Sequence, residues 1–218
     1  MPFRLGFVVR VLIIGLLSHS LAGCSFLVDD SSKKASNRQQ VSGKSTIRIR
    51  DRVVKVDYLR PLGAIKDPRI VIVKSKRRLY LYDGDVLVRE YPVALGKNPQ
   101  GHKTKEGDGK TPEGRYLICK KNGNSKFYKS LGINYPLPSD AEKAFIEGRI
   151  SEEQYKAIVM AHNLGLPPPW DTPLGGAIFI HGGGAHEDWT DGCVALYNSD
   201  MDEVFAVSKI GTPVFIYP

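Results

Sequence analysis

Residues 177–196 have the sequence Ala177-Ile-Phe-Ile-His-Gly-Gly-Gly-Ala-His-Glu-Asp-Trp-Thr-Asp-Gly-Cys-Val-Ala-Leu196, in which an apolar run leads to a histidine, a glycine-rich loop and a cysteine. The histidine is His181, and Cys193 follows twelve residues later, directly after Gly192. A thiol needs a base to become a thiolate near neutral pH, and imidazole is the usual base. Glycines let backbone N–H groups approach a reacting carbonyl closely. The pattern predicts a thiol–imidazole pair that transfers acyl groups.

The N-terminus has the pattern of a bacterial export signal. Arg4 and Arg10 bracket a short basic region, an apolar core follows, and Leu21-Ala-Gly-Cys24 supplies small residues and a cysteine at a cleavage site. The order of these parts predicts a lipoprotein signal peptide at residues 1–23 and lipidation of Cys24. An ordinary cleaved signal with a chance cysteine is the alternative.

The segment after the predicted signal peptide is polar. Residues 24–60 carry few large apolar side chains and cannot bury enough surface to offset chain entropy, so they predict a lipidated flexible tether. Isoleucines and valines near its end indicate a short strand. The rest of the chain is long enough for one domain with its own core. The predicted export signal and lipid anchor imply a cell-envelope location at the periplasmic face. Ser25, in place of an aspartate, favours the outer rather than the inner membrane.

The net charge of +8 is spread over the chain and includes three basic clusters. The clusters are Lys74, Lys76, Arg77 and Arg78; Lys97, Lys103, Lys105 and Lys110; and Lys120, Lys121, Lys126 and Lys129. A solvated basic surface explains each cluster alone, and attraction to an envelope polymer or anionic lipid is the alternative. No basic motif is interleaved with aromatic residues, so we expect no nucleic-acid partner.

Two cysteines remain in the predicted mature domain. An oxidising compartment would allow a disulfide between Cys119 and Cys193, but this bond would block the proposed nucleophile. Two cysteines also make a poor disulfide framework for a domain of this size. We therefore expect Cys119 to be a buried apolar residue beside Leu117 or Ile118.

Short apolar runs bounded by turn residues predict a β-rich domain. Residues 78–91 predict a hairpin with its turn at Asp83-Gly-Asp85. Residues 97–114 form a long loop rich in Gly, Lys and Thr, and loops of this length in a compact domain are often functional. A short helix capped by Asn198 or Ser199 is predicted after the cysteine. The further predicted strands are Arg69–Val73, Tyr91–Gly96, Arg115–Cys119 and Thr212–Tyr217.

The hydrophobic period changes to that of a helix over residues 138–165. Ser139-Asp-Ala-Glu142 and Ser151-Glu-Glu-Gln154 have the pattern of capping boxes, and Gly148 and Gly165 stand where helices stop. These signals predict a helical hairpin inserted before the catalytic segment. The apolar residues expected to face the core are Phe145 and Ile146 in the first helix and Tyr155, Ile158 and Val159 in the second.

Two motifs of this chain resemble the L,D-transpeptidase catalytic domain (YkuD) family. The first comprises His181-Gly182 and Thr190-Asp-Gly-Cys-Val194, and the second is the glycine-rich stretch at residues 95–114. The helical hairpin and the short His–Cys spacing resemble the exported YafK-like subset. The resemblance covers about residues 68–218. It implies a mainly β fold with α (α+β), a YkuD-like β-sandwich with the inserted helical hairpin at about 138–165.

The resemblance implies peptidoglycan cross-linking as the reaction, with stem peptides as partners and with no cofactor and no metal. The cysteine attacks the carbonyl of the third stem residue, D-alanine leaves, and the amine of a neighbouring stem takes the acyl group. Hydrolysis results when water is the acceptor, so an L,D-carboxypeptidase or amidase is the alternative function. Some relatives release a lipoprotein from the wall, which makes a wall-attached lipoprotein a further implied partner. The membrane would be reached through the lipid anchor.

The resemblance also assigns roles to the motif residues. Cys193 is the nucleophile, and His181 is the proton donor and acceptor. The backbone N–H of Gly192, with that of Cys193, lines the oxyanion hole. Gly182 and Thr190 support the loop or contact the substrate. A helical turn directly after Cys193 would help to lower the pKa of its thiol, so we expect a lowered pKa.

Two residues depart from the family pattern. Asp191 stands where relatives often carry a basic or apolar residue, and its carboxylate would raise the pKa of the neighbouring thiol unless it points away. Contact with a positively charged acceptor amine is the alternative role for Asp191. His186 is interpreted as a solvent-exposed loop residue, with a substrate contact as its alternative.

Other function classes fit the residues less well. A zinc site built from His181, His186 and Cys193 lacks tight ligand pairs and a fourth ligand. A sortase needs an arginine after its cysteine, and none follows Cys193. Papain-like and NlpC-type hydrolases place the cysteine before the histidine. A non-catalytic wall-binding lipoprotein is a different class, in which neither His181 nor Cys193 matters.

Overall fold

The structure is a computed structural model, and it describes residues 44–49 and 52–218. The predicted signal peptide at residues 1–23 and the lipidation site at Cys24 lie outside the described residues. The described part contains ten strands and three α-helices. The strands are β1 (Lys44–Ile49), β2 (Arg52–Asp57), β3 (Pro68–Val73), β4 (Arg78–Asp83), β5 (Val86–Pro92), β6 (Gly114–Ser125), β7 (Tyr128–Ile133), β8 (Phe179–His181), β9 (Val194–Ala195) and β10 (Pro213–Tyr217). The helices are α1 (Pro138–Ile146), α2 (Glu152–Asn163) and α3 (Asn198–Val207).

The ten strands form one hydrogen-bonded sheet, in the order β1-β2-β5-β4-β3-β10-β6-β7-β8-β9. Strand β6 links its two halves, because residues 114–117 pair with β10 and residues 118–125 pair with β7. Side chains of both halves and of α3 pack into one core. Its members include Ile72, Leu81, Ile118, Leu131, Ile180, Met201 and Ile216. The arrangement confirms the predicted α+β fold, mainly β, in which two parts of the sheet share a core as in a sandwich.

The predicted hairpin is confirmed in β4 and β5, which pair antiparallel. The predicted strand Tyr91–Gly96 is wrong. Its first two residues end β5, and two of the remaining four make isolated bridges, from Ala94 to Ala195 and from Gly96 to Thr190. Isolated bridges do not extend a strand. Both bridges lead to the segment that contains the cysteine, so this stretch packs against that segment instead.

The end of the predicted tether, residues 24–60, belongs to the sheet. β1 and β2 form an antiparallel hairpin, and β2 runs parallel to β5 through the pairs Lys55–Val86 and Val56–Leu87. Val56 is 1% exposed and packs in a small second core. The short strand expected near the end of this segment is confirmed, since Val54 and Val56 gain an apolar surface on β4 and β5. Residues 24–43 of the predicted tether lie outside the described residues.

The predicted helical hairpin at residues 138–165 is confirmed as α1 and α2. Gly148 and Gly165 stand just past the two helix ends at φ +68° and +67°, a conformation that glycine adopts without strain. The second capping box is also confirmed. Ser151 Oγ accepts the N–H of Gln154 at 3.2 Å, and Gln154 Oε1 accepts the N–H of Ser151 at 3.1 Å.

The first predicted capping box, Ser139 to Glu142, is wrong. Helix α1 already begins at Pro138, and Asp140 Oδ2 accepts the N–H of Leu137 at 2.8 Å. Proline suits the first helical position because its φ is fixed near the helical value and its missing N–H would have no helical partner there. The helix therefore starts before Ser139 rather than after it.

The core-facing side of α1 also differs from the prediction. Ala141 and Ala144 are fully buried, whereas Phe145 and Ile146 are 40% and 78% exposed. Small alanine side chains let the helix approach its neighbours closely, so the larger apolar residues at its end point elsewhere. In α2, Ile158 is buried as expected. None of the three described helices combines the length and apolar character needed to cross a bilayer.

Candidate active site

A pair of short parallel strands places the two catalytic candidates. β8 ends at His181, β9 begins one residue after Cys193, and the ladder pairs Ile180 with Val194. Extended by one position, the same register puts Cys193 opposite Phe179. Side chains alternate along a strand, and Ile180 and Val194 face the core. His181 and Cys193 therefore share the opposite face, on neighbouring strands.

The main chain orients His181. Its Nδ1 lies 2.6 Å from the carbonyl oxygen of Gly182, and since a carbonyl only accepts, Nδ1 carries the proton. Nε2 is then the atom free to take a proton from a thiol. His181 is 3% exposed, and burial lowers its pKa more than the hydrogen bond to Gly182 raises it. The imidazole is therefore a neutral base at pH 7.

Two aromatic side chains that the sequence analysis missed pack around the imidazole. Phe127, from the turn between β6 and β7, stacks on the His181 ring with centroids 4.8 Å apart and planes at 24°. Trp189 meets both rings edge-on, with centroids 5.6 Å from each. Trp189 could have been proposed from its position between His181 and Cys193. Phe127 lies far from both in sequence, and no local pattern marks it.

The start of α3 fixes the glycine-rich loop after His181. Asn198 accepts the N–H of Gly183 on its side-chain oxygen at 3.0 Å. Neither Asn198 nor Ser199 caps α3 through its side chain, so that prediction is wrong. A β-carbon on Gly182 would lie 2.5 Å from the same Asn198 oxygen. Only glycine therefore lets the loop and the helix meet at this point.

The Cys193 thiol is partly exposed and contacts main-chain groups. Its sulfur accepts the N–H of Phe179 at 3.4 Å and donates to the carbonyl of Ala177 at 3.7 Å. Ala177 has φ +51°, in the left-handed region that residues with side chains rarely adopt, and this turn places its carbonyl beside the sulfur. Within the described residues no hydrogen bond joins the thiol to His181. Cys119 and Cys193 are both free cysteines.

The electrostatic surroundings of the thiol differ from the prediction. Burial raises the pKa of the Cys193 thiol, and the Asp191 carboxylate raises it further. The N–H of Phe179 and the charges of Lys103 and Lys126 act in the opposite direction without offsetting burial. The expected lowered pKa is wrong, because β9 and not a helical turn follows the cysteine. The resting pair is therefore a neutral thiol and a neutral imidazole.

Thr190 stabilises the segment before the cysteine. Its Oγ1 accepts the N–H of Gly192 at 3.2 Å and donates to the carbonyl of Cys193 at 2.8 Å. Its own N–H and carbonyl bond to the main chain of Leu95 and Lys97 at 3.1 and 2.9 Å. A reacting carbonyl must compete with Thr190 for the N–H of Gly192. The other predicted oxyanion donor, the N–H of Cys193, makes no hydrogen bond to Thr190 and is available to the reacting carbonyl.

Glycines bring the 97–114 loop against the cysteine segment. A β-carbon on Gly96 would lie 2.1 Å from the carbonyl oxygen of Gly109 and 3.1 Å from Cα of Gly192. A β-carbon on Gly192 would lie 2.7 Å from the carbonyl oxygen of Lys110. The loop and the cysteine segment thus pack backbone to backbone, which side chains at these positions would prevent.

Gly96→Ala is expected to force this contact apart and to lower the free energy of unfolding by about 1–3 kcal/mol. Gly63→Ala is the matched control, because a β-carbon on Gly63 meets nothing within 4 Å. Chemical denaturation followed by circular dichroism measures both variants. Equal stability of the two variants would show that the close contact at Gly96 is not needed.

Buried charges hold the 97–114 loop in shape. Lys103 pairs with Asp108 at 3.0 Å, Lys74 pairs with Glu113 at 2.8 Å, and both lysines are almost fully buried. The Lys74 ammonium also donates to two main-chain carbonyls of the loop, and that of Lys103 donates to one. Buried charges are stable only with partners of this kind. These two members of the basic clusters are therefore structural and are not free to meet a polyanion.

Asp191 points into solvent. Its side chain is 89% exposed and pairs with the ammonium of Lys97 at 3.0 Å. Through space it still contributes to the raised pKa of the Cys193 thiol, after the larger effect of burial. The ion pair with Lys97 joins the cysteine segment to the 97–114 loop at the surface.

The other polar residues between His181 and Cys193 in the sequence make contacts away from the thiol. His186 is exposed, with Nε2 3.8 Å from the carboxylate of Glu187. Asp188 accepts the N–H of Leu95 at 2.9 Å and pairs with Arg77 at 2.8 Å, so it ties the loop to the body of the domain. In the part of the chain that the structure describes, no group of three or more His, Cys, Asp or Glu side chains is arranged to hold a metal ion.

The comparison with known families decides the relationship. The family model of the L,D-transpeptidase catalytic domain (YkuD) matches residues 67–216, which include both sequence motifs and the paired strands of the site. The chain belongs to the L,D-transpeptidase catalytic domain (YkuD) family. This family acts on peptidoglycan stem peptides. No curated protein matches the sequence significantly.

Solved structures match the chain at low sequence identity. Bd1075 from Bdellovibrio bacteriovorus has a TM-score of 0.46 and 21% identity, over 71% of this chain and 49% of that one. The helical cell shape determining protein Pgp2 from Campylobacter jejuni has a TM-score of 0.47 and 21% identity, over 71% and 53%. An L,D-transpeptidase from Mycobacterium tuberculosis H37Rv has a TM-score of 0.42 and 12% identity, over 70% and 58%. The chain spans about half the length of these structures.

Proposed function

We propose that the chain is a peptidoglycan L,D-transpeptidase that works through an acyl-enzyme on Cys193. One observation carries the proposal. In a domain of this family, a thiol and a neutral imidazole oriented by the main chain share one face of two neighbouring parallel strands. His181 presents Nε2 as a base, and the thiol needs one because its pKa is raised by burial.

Acylation begins when the thiol turns from the Ala177 carbonyl toward His181. As the sulfur attacks the carbonyl carbon of the third stem residue, the thiol proton passes to Nε2 of His181. The N–H of Cys193 stabilises the oxyanion, joined by that of Gly192 when it leaves Thr190. The C–N bond to D-alanine then breaks, and Nε2 returns the proton to the leaving amine. A thioester on Cys193 and free D-alanine result.

Deacylation repeats these steps with the acceptor. The amine of a neighbouring stem attacks the thioester and gives a proton to Nε2 of His181. The C–S bond breaks, and the sulfur of Cys193 takes that proton, which restores the neutral pair. With water as the acceptor, the same acyl-enzyme yields a tripeptide, which is the reaction of an L,D-carboxypeptidase. If a wall-attached lipoprotein takes the place of D-alanine as the leaving group of acylation, hydrolysis of the acyl-enzyme completes the release of that lipoprotein from the wall. The acceptor depends on which molecule reaches the thioester first.

Mass spectrometry of muropeptides tests the proposed reaction. Purified tetrapeptide muropeptides are incubated with the full-length protein in mild detergent, and heat-denatured protein is the control. We expect dimers joined through two third-position residues, together with free D-alanine. Tripeptides without dimers would show that the protein is a carboxypeptidase and not a transpeptidase. Unchanged muropeptides would favour the non-catalytic wall-binding lipoprotein.

We also propose a place for this activity. The N-terminal pattern supports removal of residues 1–23 and a lipid anchor on Cys24, at the periplasmic face of the cell envelope and on the outer rather than the inner membrane. The catalytic domain would then comprise residues 68–218. A Cys24→Ala chain that still fractionates with membranes would contradict the anchor.

A further inference from the structure

The basic cluster of Lys120, Lys121, Lys126 and Lys129 divides into two kinds of lysine. Lys121 donates to two main-chain carbonyls at 2.7 Å, and Lys129 pairs with Asp202. Lys120 and Lys126 are exposed. No carboxylate of the described residues lies within ion-pair distance of either of these two ammonium groups. Half of the cluster therefore has structural partners, and the other half is available to a ligand.

Lys126 contacts the aromatic ring that stacks on the imidazole of the site. Its ammonium is 4.9 Å from the centroid of the Phe127 ring, which stacks on the His181 ring at 4.8 Å. Cation–π contact of this kind favours a defined position for an otherwise flexible side chain. Lys126 also acts on the Cys193 thiol, where burial has the larger effect on the pKa. Only the Phe127 ring therefore separates the exposed ammonium of Lys126 from the imidazole of His181 in this series of contacts.

A role for Lys126 rests on the proposed function, in which His181 protonates the amine of the residue that leaves. That amine must lie within hydrogen-bond reach of Nε2, roughly 3 Å, while the bond breaks. The leaving residue is the last of the donor peptide, so it carries a carboxylate on the carbon next to the amine. Its negative charge therefore falls on the His181 side of the site. Lys126 offers a cation there that no carboxylate of the described residues neutralises.

We infer that Lys126 is a specificity-determining residue, which binds the terminal carboxylate of the residue removed from the donor peptide. Lys120 contacts a different aromatic ring. Its ammonium lies 5.3 Å from the centroid of the Trp170 ring, which meets the ring of Phe179 edge-on at 5.6 Å. The contact that holds Lys126 against the Phe127 ring is therefore not shared by Lys120, which makes Lys120 a control for the charge alone.

Two donor peptides test this inference, a tetrapeptide with a free terminal carboxylate and the same peptide ending in an amide. The full-length protein in mild detergent should prefer the acid. Lys126→Gln should raise the KM for the acid by about fivefold, a modest factor because an exposed ion pair is weak, and should leave the KM for the amide unchanged. Because the Lys126 charge also acts on the Cys193 thiol, any change in kcat should be the same for both peptides. Lys120→Gln removes one charge from the same cluster and should keep the preference. An unchanged preference in Lys126→Gln, or an equal loss in both variants, would overturn the inference.

Binding to a Cys193→Ala protein separates this inference from the proposed function. Isothermal titration calorimetry should show tighter binding of the acid than of the amide, and the double variant with Lys126→Gln should lose the difference. If the wild type converts neither peptide but this difference is present, the carboxylate site stands and the proposed reaction is wrong. If the Cys193→Ala protein binds the two peptides equally, or binds neither, the carboxylate site is wrong whatever the reaction.

Discussion

Replacing Cys193 by alanine is expected to abolish release of D-alanine and covalent labelling while the fold stays intact. Loss of a catalytic nucleophile typically costs a factor of about 10⁴ to 10⁶ in turnover. The fold should survive because the hydrogen bonds of the thiol go only to the main chain of Phe179 and Ala177. Release of D-alanine measures turnover. Intact-protein mass spectrometry after exposure to a carbapenem, whose strained ring offers a reactive carbonyl, measures labelling.

Cys119→Ala is the matched control for this experiment. Cys119 is free and is partly buried, whereas the sequence predicted a buried residue. Burial raises the pKa of its thiol to about 11. At neutral pH it is a protonated thiol, so its removal should leave turnover and the single adduct unchanged. An adduct or D-alanine release that persists in Cys193→Ala would place the nucleophile elsewhere.

Local sequence was enough to predict the residues of the catalytic pair. His181 ends an apolar run that becomes β8, and Cys193 precedes the short strand β9, so one segment of twenty residues contains both strands of the ladder. The glycines between them mark close approaches of the backbone, such as that of Gly182 to Asn198. The helical period over residues 138–165, the glycines at the two helix ends and the capping box of α2 likewise predicted the helical hairpin, because these are properties of neighbouring residues.

Properties that depend on distant parts of the chain were not predictable in the same way. Phe127 reaches His181 only because β6 and β7 bring their turn to the end of β8. The raised pKa of the Cys193 thiol reflects burial by the whole domain, which outweighs any single neighbouring charge. The prediction of which residues of α1 face the core was wrong for the same reason. Ala141 and Ala144 are buried because their small side chains fit the space beneath the helix, which the local sequence does not reveal.

The second large effect is expected from His181→Gln, which should lower kcat/KM by about 10² to 10⁴. Glutamine can donate to the Gly182 carbonyl but cannot take the thiol proton. Because the resting thiol is neutral, its proton has to leave while the sulfur attacks. Without His181 the site has no base to accept that proton. The rate of D-alanine release over a range of donor concentrations gives kcat/KM. His186→Gln is the matched control, because His186 is exposed and stands beside Glu187 in the same loop.

The pH dependence distinguishes a neutral pair from a thiolate–imidazolium pair. Burial lowers the pKa of His181, so the wild-type kcat/KM should rise with pH at a midpoint below the ordinary histidine value of about 6.5. This acidic limb should persist in His186→Gln and vanish in His181→Gln. The residual activity of His181→Gln should then rise only as the Cys193 thiol ionises, above the ordinary cysteine value of about 8.5, since burial raises its pKa. Alkylation by iodoacetamide that reaches a plateau below pH 6 in the wild type would instead reveal a preformed thiolate, and His181 would then stabilise a charge rather than accept a proton.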